Sequence, residues 1–249
     1  AFCNEQHLPV LRTLLLLSIK TIEKRRELQG GKKWSKRCNS VYCFPEREYA
    51  IMHVISLNCW GVDRNPARFE AIAHAIVSLR PDVVCLQEVV TLREVALLDA
   101  IFAREYKTCT PGSRWRLLNR GGLYVAVHER CSLVESRFVR FTVQAPLFHP
   151  LALSDLVLEK GWQIVQVATG SGPVTIFNSH LLGSYGLFPT AEMRAIQCQR
   201  LELEKVLAKT LGRIVICADM NATPNTFACD SYFRNLGELF FMNETPITV

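Results

Sequence analysis

The sequence lacks a hydrophobic run long enough to cross a lipid bilayer. The apolar stretch at residues 14–17, followed by Ile19, is bracketed by Arg12 and Lys20, whereas a membrane-spanning helix needs roughly 20 apolar residues. The small-residue cleavage pattern of a signal peptide is also missing, and a basic run at residues 24–26 follows instead. We therefore expect a frayed or helical N-terminal extension rather than a membrane span.

Paired cysteines are absent as well. The ten cysteines are spread singly, with no CxxC pair and no zinc-type spacing, which argues against a structural zinc site. Cys59, Cys85 and Cys217 lie within or beside apolar runs, where a thiol behaves as a small core hydrophobe. This usage favours a reducing compartment. We expect a cytoplasmic or peripheral membrane location and leave secretion open.

Most of the chain has little net charge. The whole sequence carries 29 Lys and Arg against 23 Asp and Glu, a net charge of +6, but residues 1–49 alone carry ten basic and five acidic side chains. Residues 50–249 therefore hold 19 basic and 18 acidic side chains. Binding to a phosphate backbone normally needs clustered Lys and Arg, so nucleic acid is the less favoured partner. The basic extension suits peripheral contact with an anionic membrane.

Regular apolar segments begin near residue 50, which predicts a basic extension over residues 1–49, disordered or helical, and one domain over residues 50–249. The length of 249 residues suits one large α/β domain. Periodicity predicts helices starting at residue 66 and over 91–106 and 189–209, and strands over 51–57, 82–86, 123–128, 132–141, 162–168, 174–178 and 213–218. Two strand–helix units followed by mostly strands indicate an α/β or α+β fold.

Polar side chains follow four of the predicted strands. Asn58 ends the first, Glu88 follows the second, His180 follows a late strand, and Asp219 and Asn221 follow the last. Strands hold short side chains rigidly at one rim of a sheet, so we expect these five residues to form one site. Each alone has a structural explanation, as a turn residue, a helix cap, a buried histidine or an Asx-rich turn. Their repetition at the ends of four strands favours a functional site over separate structural roles.

These motifs resemble the endonuclease/exonuclease/phosphatase superfamily. The resemblance rests on four segments: Ser-Leu-Asn-Cys-Trp-Gly at residues 56–61, Leu-Gln-Glu-Val at 86–89, Asn-Ser-His-Leu at 178–181 and Ala-Asp-Met-Asn-Ala-Thr-Pro at 218–224. Their order and spacing also fit, over roughly residues 51–235. The resemblance implies a DNase I-like fold, a four-layer αββα sandwich of two mixed β-sheets flanked by helices, and metal-dependent phosphodiester hydrolysis.

Three further segments, less specific than the four above, resemble neutral sphingomyelinases within that superfamily. They are Gly-Gly-Leu-Tyr-Val at residues 121–125 and Glu-Lys-Gly-Trp at 159–162, and the helix over 192–201 is similar to the Arg-x-x-Gln helix of such enzymes. The resemblance implies a phospholipid hydrolase and makes Lys160 a substrate-binding candidate. A nuclease or an inositol-phosphate phosphatase is the alternative in the same superfamily.

The resemblance also implies a role for each site residue. Glu88 is the expected Mg²⁺ ligand, since Mg²⁺ is usually bound through one or two carboxylates with water and phosphate. Asn58 is expected beside it, in contact with both the metal and the phosphate. His180 donates a hydrogen bond to the phosphate or assists the leaving oxygen. Asp219 orients the attacking water or a partner histidine, and Asn221 contacts the phosphate.

One expected element is missing from the sequence. The family uses a histidine in a late Asp-His pair as its base, but no histidine follows Asn221, and His7, His53, His74, His128 and His149 all precede His180. Ala218 also stands where the family usually has glycine. We expect either a C-terminally incomplete chain with negligible turnover of its own or a non-catalytic relative that binds phosphate or phospholipid. The sequence leaves the oligomeric state open.

Overall fold

The computed structural model describes residues 15–19, 52–61, 65–114, 116–144, 157–183 and 189–221. The three α-helices of these ranges are α1 (Pro66–Leu79), α2 (Leu92–Phe102) and α3 (Pro189–Lys209). The strands are β1 (Leu15–Ile19), β2 (Met52–Asn58), β3 (Val83–Gln87), β4 (Tyr106–Cys109), β5 (Ser113–Arg114), β6 (Leu118–Asn119), β7 (Tyr124–His128), β8 (Ser132–Arg140), β9 (Gly161–Thr169), β10 (Gly172–His180) and β11 (Arg213–Asp219).

The strands form two mixed sheets and a short hairpin. Sheet 1 has the order β1-β2-β3-β7-β4, in which β2 and β3 are parallel and the other neighbours are antiparallel. Sheet 2 has the order β11-β10-β9-β8, in which only β10 and β11 are parallel. Strands β5 and β6 pair with each other. Each sheet therefore contains one parallel pair whose carboxyl ends reach the same edge.

Three apolar layers show how the sheets and helices stack. One joins α1 and α2 to sheet 1 through residues such as Phe69, Ile76 and Phe102. The second lies between the two sheets and is built from short side chains, including Val54, Val83, Val125, Val165, Ile176 and Val215. The third joins α3 to sheet 2 through Trp162, Phe177 and Leu203. The order helix, sheet, sheet, helix confirms the predicted four-layer αββα sandwich.

Local sequence signals fix the starts of α1 and α2, the helices that follow β2 and β3. Asn65 caps α1 by accepting a hydrogen bond from the Ala67 amide at 3.1 Å, and Pro66 occupies the first turn, where its missing N–H costs nothing. Thr91 and Glu94 form a capping box at the start of α2. These caps fix where α1 and α2 begin, and they therefore fix the far ends of the loops that follow β2 and β3.

The structure corrects two of the sequence expectations. The helix expected over residues 91–106 ends at Phe102, and Tyr106–Cys109 is a strand that pairs with β7. In the N-terminal extension, Leu15–Ile19 is not helical but pairs antiparallel with β2, because the outer edge of β2 offers free backbone groups to an extended segment. Residues 1–14 and 20–49 lie outside the described residues, and the domain boundary near residue 50 stays a prediction.

The helices of the described residues do not include a membrane-spanning segment. None of them combines the length and the apolar character that a membrane crossing requires.

Candidate active site

The side chains expected at the site meet across the two sheets. The Asn58 side-chain amide, at the end of β2, donates to Glu88 Oε1 at 2.9 Å and to Asp219 Oδ2 at 2.7 Å. His180 Nε2, at the end of β10, lies 3.8 Å from each of the same two carboxylate oxygens. Sheet 1 supplies Asn58 and Glu88, and sheet 2 supplies His180 and Asp219. The prediction that these residues gather at one rim agrees with this geometry.

Asn221 completes the group from the turn after β11. Its side-chain amide nitrogen lies 3.1 Å from His180 Nε2 and donates to the Leu181 carbonyl at 2.8 Å. Its backbone N–H donates to Asp219 Oδ1 at 2.9 Å. Asn221 therefore fixes the orientation of both neighbours, His180 on one side and Asp219 on the other.

Strand register explains why residues distant in sequence meet here. In the parallel pair of β2 and β3, Asn58 lies opposite Gln87, so Glu88 is the next residue beyond the paired strands. In the parallel pair of β10 and β11, His180 lies opposite Asp219. Parallel strands end at the same edge of a sheet, and both parallel pairs end at the site.

Three residues at the site have left-handed backbone conformations. The φ angles are +48° at Trp60, +60° at Glu88 and +46° at Asn221. Such conformations cost a side-chain-bearing residue about 1–3 kcal/mol and persist where surrounding contacts impose them. For Glu88 those contacts include the Gly61 amide, which donates to Glu88 Oε2 at 3.0 Å. The carboxylate is thus held at two oxygens, by Asn58 and by Gly61.

The electrostatic environment keeps Asp219 ionised. Burial alone would raise its pKa, but the charge of His180, hydrogen bonds from the Asn58 side chain and the Asn221 backbone, and the charge of Lys160 outweigh burial, and the pKa is lowered. Lys160 is itself only 2% exposed. The sequence-predicted substrate ligand Lys160 therefore lies close enough to the site for its charge to act on Asp219.

The glycine pair singled out in the sequence supports the Glu88 loop. The Val89 amide donates to the Gly122 carbonyl at 2.9 Å, and a side chain at Gly122 would approach within 3.5 Å of the Glu88 Cα. The Arg120 guanidinium, just before the pair, lies 3.0 Å from the carboxylate of Glu159. Both softer motifs, at residues 121–125 and 159–162, thus border the same site.

The oxygen donors of the site bear on whether it can hold a divalent cation. Among the described residues, no three His, Cys, Asp or Glu side chains form a ready cluster of metal ligands. Mg²⁺ does not need one, because one or two carboxylates plus water and phosphate suffice, and Glu88 and Asp219 offer hard oxygen donors on either side of Asn58. The Asn58 oxygen accepts from the Trp60 amide at 2.8 Å, so its amide nitrogen, not its oxygen, faces the carboxylates. Glu88 fits the predicted metal role, and metal ligation by Asn58 stays a prediction.

Glu88, Asp219 and Asn221 make contacts beyond the helix cap and the local turn that would explain each of them alone. Glu88 does not cap α2, since the capping carboxylate is that of Glu94, which accepts from the Val90 and Thr91 amides at 2.7 and 2.8 Å. Asp219 and Asn221 do form a local turn through Asn221 N–H, yet the side chains of both also reach residues on other strands. The same two residues therefore form the local turn and take part in the site.

Sequence reasoning missed the residues beneath the site. Gln87 and Asn178 were noted only as parts of motifs, but their side chains bond to each other at 2.8 Å between the sheets. Gly61 was noted only as a motif residue, although its amide holds Glu88. A usable signal was present for the first two, because each is an amide inside an otherwise apolar strand. The contact between them, 91 residues apart, had no local signal.

Comparison with known families supplies the identification. The model of the Endonuclease/Exonuclease/phosphatase family matches residues 55–237. The chain belongs to this family. The match includes all five site residues and confirms the resemblance inferred from the motifs. A search of curated proteins gives no match.

Solved structures of several proteins share the fold of this Endonuclease/Exonuclease/phosphatase family member. A truncated C. elegans TDP2 aligns at 20% identity and a TM-score of 0.51, over 69% of this chain and 63% of that one. D. rerio TDP2 complexed with single-strand DNA product aligns at 18% identity and a TM-score of 0.55, over 76% of this chain and 66% of that one. Sphingomyelinase C from Streptomyces griseocarneus aligns at 18% identity and a TM-score of 0.54, over 74% of this chain and 67% of that one. The chain thus spans less than two thirds of the length of the C. elegans protein.

Proposed function

We propose that this chain is a Mg²⁺-dependent phosphodiesterase that acts on phospholipids of the sphingomyelin type. The observation that carries the proposal is the meeting of Glu88, Asp219 and His180 around the Asn58 amide, at the ends of strands from both sheets. Two carboxylates, an imidazole and amide donors in one half-buried site suit the binding of a cation and a phosphate together. Membership of the family supports the same chemistry.

Glu88 is the residue that would hold the metal, with Asp219 across the site. A bound Mg²⁺ polarises a phosphoryl oxygen and offsets the negative charge that develops during hydrolysis. The Asn58 amide keeps the two carboxylates together, and the Gly61 amide fixes the rotation of the Glu88 side chain. Both contacts orient oxygen donors before substrate arrives, which is the condition for tight binding of a small, strictly octahedral cation.

Four side chains would act on the phosphate or on the attacking water. His180 donates a hydrogen bond to a phosphoryl oxygen or a proton to the leaving oxygen, and Asn221 supplies an amide donor beside it. Asp219, held ionised, accepts a hydrogen bond from the attacking water and orients it. Lys160 contributes positive charge close to Asp219, which favours an anionic substrate. The other histidines that the structure describes, His53, His74 and His128, contact other residues, away from this group.

A phospholipid is the substrate class that the chain favours over nucleic acid. Residues 50–249 are nearly neutral, whereas a nucleic-acid site usually presents clustered basic side chains. The motif segments that resemble neutral sphingomyelinases border the site, and sphingomyelinase C has the same fold. DNA is the second candidate, because D. rerio TDP2, which was solved with a single-strand DNA product, also has this fold. An inositol phosphate is the third.

An assay panel tests the proposal. Hydrolysis of sphingomyelin, single-strand DNA and inositol phosphates is measured with Mg²⁺ and with EDTA, on residues 1–249 and on a longer chain that extends past Val249. In the longer chain, we expect phosphocholine release that needs Mg²⁺ and is abolished in Glu88→Gln, which removes the charge but keeps the shape. We expect negligible release by residues 1–249 alone. Glu70→Gln, on the exposed face of α1, is the matched control and retains activity.

Other outcomes would change the proposal in defined ways. Hydrolysis of DNA but not sphingomyelin would keep the phosphodiesterase and replace its substrate. Mg²⁺-dependent binding of phosphocholine without turnover in either chain would indicate a non-catalytic relative. Activity that is unchanged by EDTA and by Glu88→Gln would refute the metal site.

A further inference from the structure

A polar bridge crosses the core between the two sheets just beneath the site. The Gln87 side-chain amide, on β3, donates to Asn178 Oδ1, on β10, at 2.8 Å and to Ser56 Oγ, on β2, at 3.3 Å. The Asn178 amide nitrogen donates to the carbonyls of Leu86 and Tyr124, each at 3.2 Å. Asn178 thus joins sheet 2 to the backbone of two strands of sheet 1.

The bridge stands out from its surroundings by polarity and burial. Asn178 is fully buried and Gln87 is 1% exposed. The rest of the layer between the sheets consists mostly of valines, with Ile176 two residues before Asn178 on the same face of β10. Burying amides in such a layer gives little net stability, because their hydrogen bonds replace bonds to water. Their geometry, however, fixes the register and spacing of the sheets more narrowly than apolar contacts do.

The position of the bridge links it to the site residues. Gln87 directly precedes Glu88, and Asn178 lies two residues before His180 on the same face of β10. Because β10 pairs with β11, a shift of β10 against sheet 1 also moves Asp219 relative to Glu88. Two distances at the site cross between the sheets, from Asn58 to Asp219 and from His180 to Glu88. Both depend on the separation of the two sheets at this level.

We propose that Gln87 and Asn178 are positioning residues, which set the separation of Glu88 from His180 and Asp219 and thereby set the Mg²⁺ affinity of the site. The inference rests on the proposed function in so far as it names Mg²⁺. The geometric part, that the bridge holds the two halves of the site together, does not depend on it. Both side chains are buried beneath the site, so both would act through Glu88 and His180.

The test compares three variants of the full chain. Asn178→Leu removes the whole bridge while keeping the number and branching of the side-chain heavy atoms. Gln87→Met removes the donor to Asn178 and to Ser56 and leaves the bonds of Asn178 to the carbonyls of sheet 1. It therefore remains informative should Asn178→Leu fail to fold. Ile176→Ala is the control, because it truncates a buried side chain on the same face of β10 without touching the bridge. Unfolding midpoints identify the temperature at which all variants are folded.

Two measurements separate positioning from general destabilisation. Mg²⁺ affinity is measured by titration calorimetry on protein freed of metal with EDTA, and we expect the bridge variants to bind about 10-fold or more weakly, as for other groups that orient metal ligands. Amide hydrogen exchange is measured without metal at Gly61 and Leu181, whose N–H groups donate to Glu88 Oε2 and to the Asp219 carbonyl. We expect exchange there about 10-fold faster in the bridge variants than in Ile176→Ala.

Each result decides the inference. Weaker Mg²⁺ binding and faster exchange in the bridge variants alone support it. If the unmodified chain binds no Mg²⁺ but exchange at Gly61 and Leu181 still accelerates, the bridge positions the site and the proposed metal function fails. If affinity and exchange in the folded bridge variants match those of Ile176→Ala, the bridge is an ordinary core contact and the inference is overturned.

Discussion

Gly61 lies where the loop after β2 meets the backbone of the Glu88 loop. A Cβ atom at this position would lie 2.1 Å from the Glu88 carbonyl oxygen, which a real contact never does. We expect Gly61→Ala to push the Glu88 loop away and to lower the free energy of unfolding by about 1–3 kcal/mol, as overpacking does elsewhere. Urea unfolding measures the stability, and Mg²⁺ titration measures the effect on the site.

The matched control for this substitution is Gly170. Nothing lies within 4 Å of an added Cβ there, so Gly170→Ala should leave stability unchanged or raise it by about 0.4–1 kcal/mol through the unfolded chain. Equal effects of the two substitutions would contradict the close approach at Gly61.

Asp219 gives the site a pH dependence that unfolding experiments can detect. Because its pKa is lower in the folded chain than in the unfolded one, its stabilising contribution is present above the ordinary aspartate pKa, about 4, and is lost as the pH falls through the folded-state value. In EDTA, we expect the stability difference between the unmodified chain and Asp219→Asn to shrink steadily as the pH falls below about 4. A difference independent of pH between 3 and 6 would contradict the lowered pKa.

At the scale of elements, the cap of α2 supports the Glu88 loop as well as the helix. The Glu94 carboxylate accepts from the amides of Val90 and Thr91 and is buried. We expect Glu94→Ala to leave both donors without a partner and to cost about 1–3 kcal/mol, more than Thr91→Ala, which removes one acceptor at about 1 kcal/mol. Arg93→Ala, on the exposed side of the same turn, is the control. Thermal unfolding ranks the three, and the reverse order would contradict a supporting role for Glu94.

The sequence predicted the elements that carry their own local signal. Strands β2, β3 and β11 are short apolar runs that end in polar residues, and α1 has Asn65 and Pro66 at its start, so each was placed within a residue or two. Strand β4 was missed because Ala103, Arg104 and Glu105 continue a helical composition past Phe102. Its strand conformation depends on pairing with β7, which no local pattern encodes.

The same contrast holds for the site. Asn58, Glu88 and His180 were found because each is a polar residue after an apolar run. The geometry among them depends on sheet register and on the Gln87–Asn178 bridge, whose partners are chosen by the packing of two sheets. The donor orientation of Asn58, with its nitrogen toward the carboxylates, also follows only from the three-dimensional contacts.

For the whole molecule, the uneven charge predicts a salt-dependent membrane contact through residues 1–49. Neutralising the basic run with Lys24→Gln, Arg25→Gln and Arg26→Gln should weaken binding to vesicles of phosphatidylcholine and phosphatidylserine by about 10-fold or more, since each basic residue near an anionic surface contributes about 1 kcal/mol. Vesicle sedimentation at low and high salt measures the change.

The control for the vesicle experiment removes equal charge from the domain. Arg93→Gln, Arg104→Gln and Lys107→Gln change three exposed side chains and should leave binding nearly unaltered. If both triple variants lose binding equally, the contact depends on net charge and not on the extension.

The two sheets are continuous in sequence apart from β1: β2 to β7 lie within residues 52–128, and β8 to β11 lie within 132–219. The carboxylate proposed to anchor the cation and the groups proposed to handle the phosphate are therefore encoded in separate, adjacent stretches of the gene. A single crossover between His128 and Ser132 would exchange one half of the site between relatives while keeping the other intact. Catalytic halves could be recombined in this way, provided that the residues facing each other across the sheets, the Gln87–Asn178 bridge foremost, are inherited as a matched set.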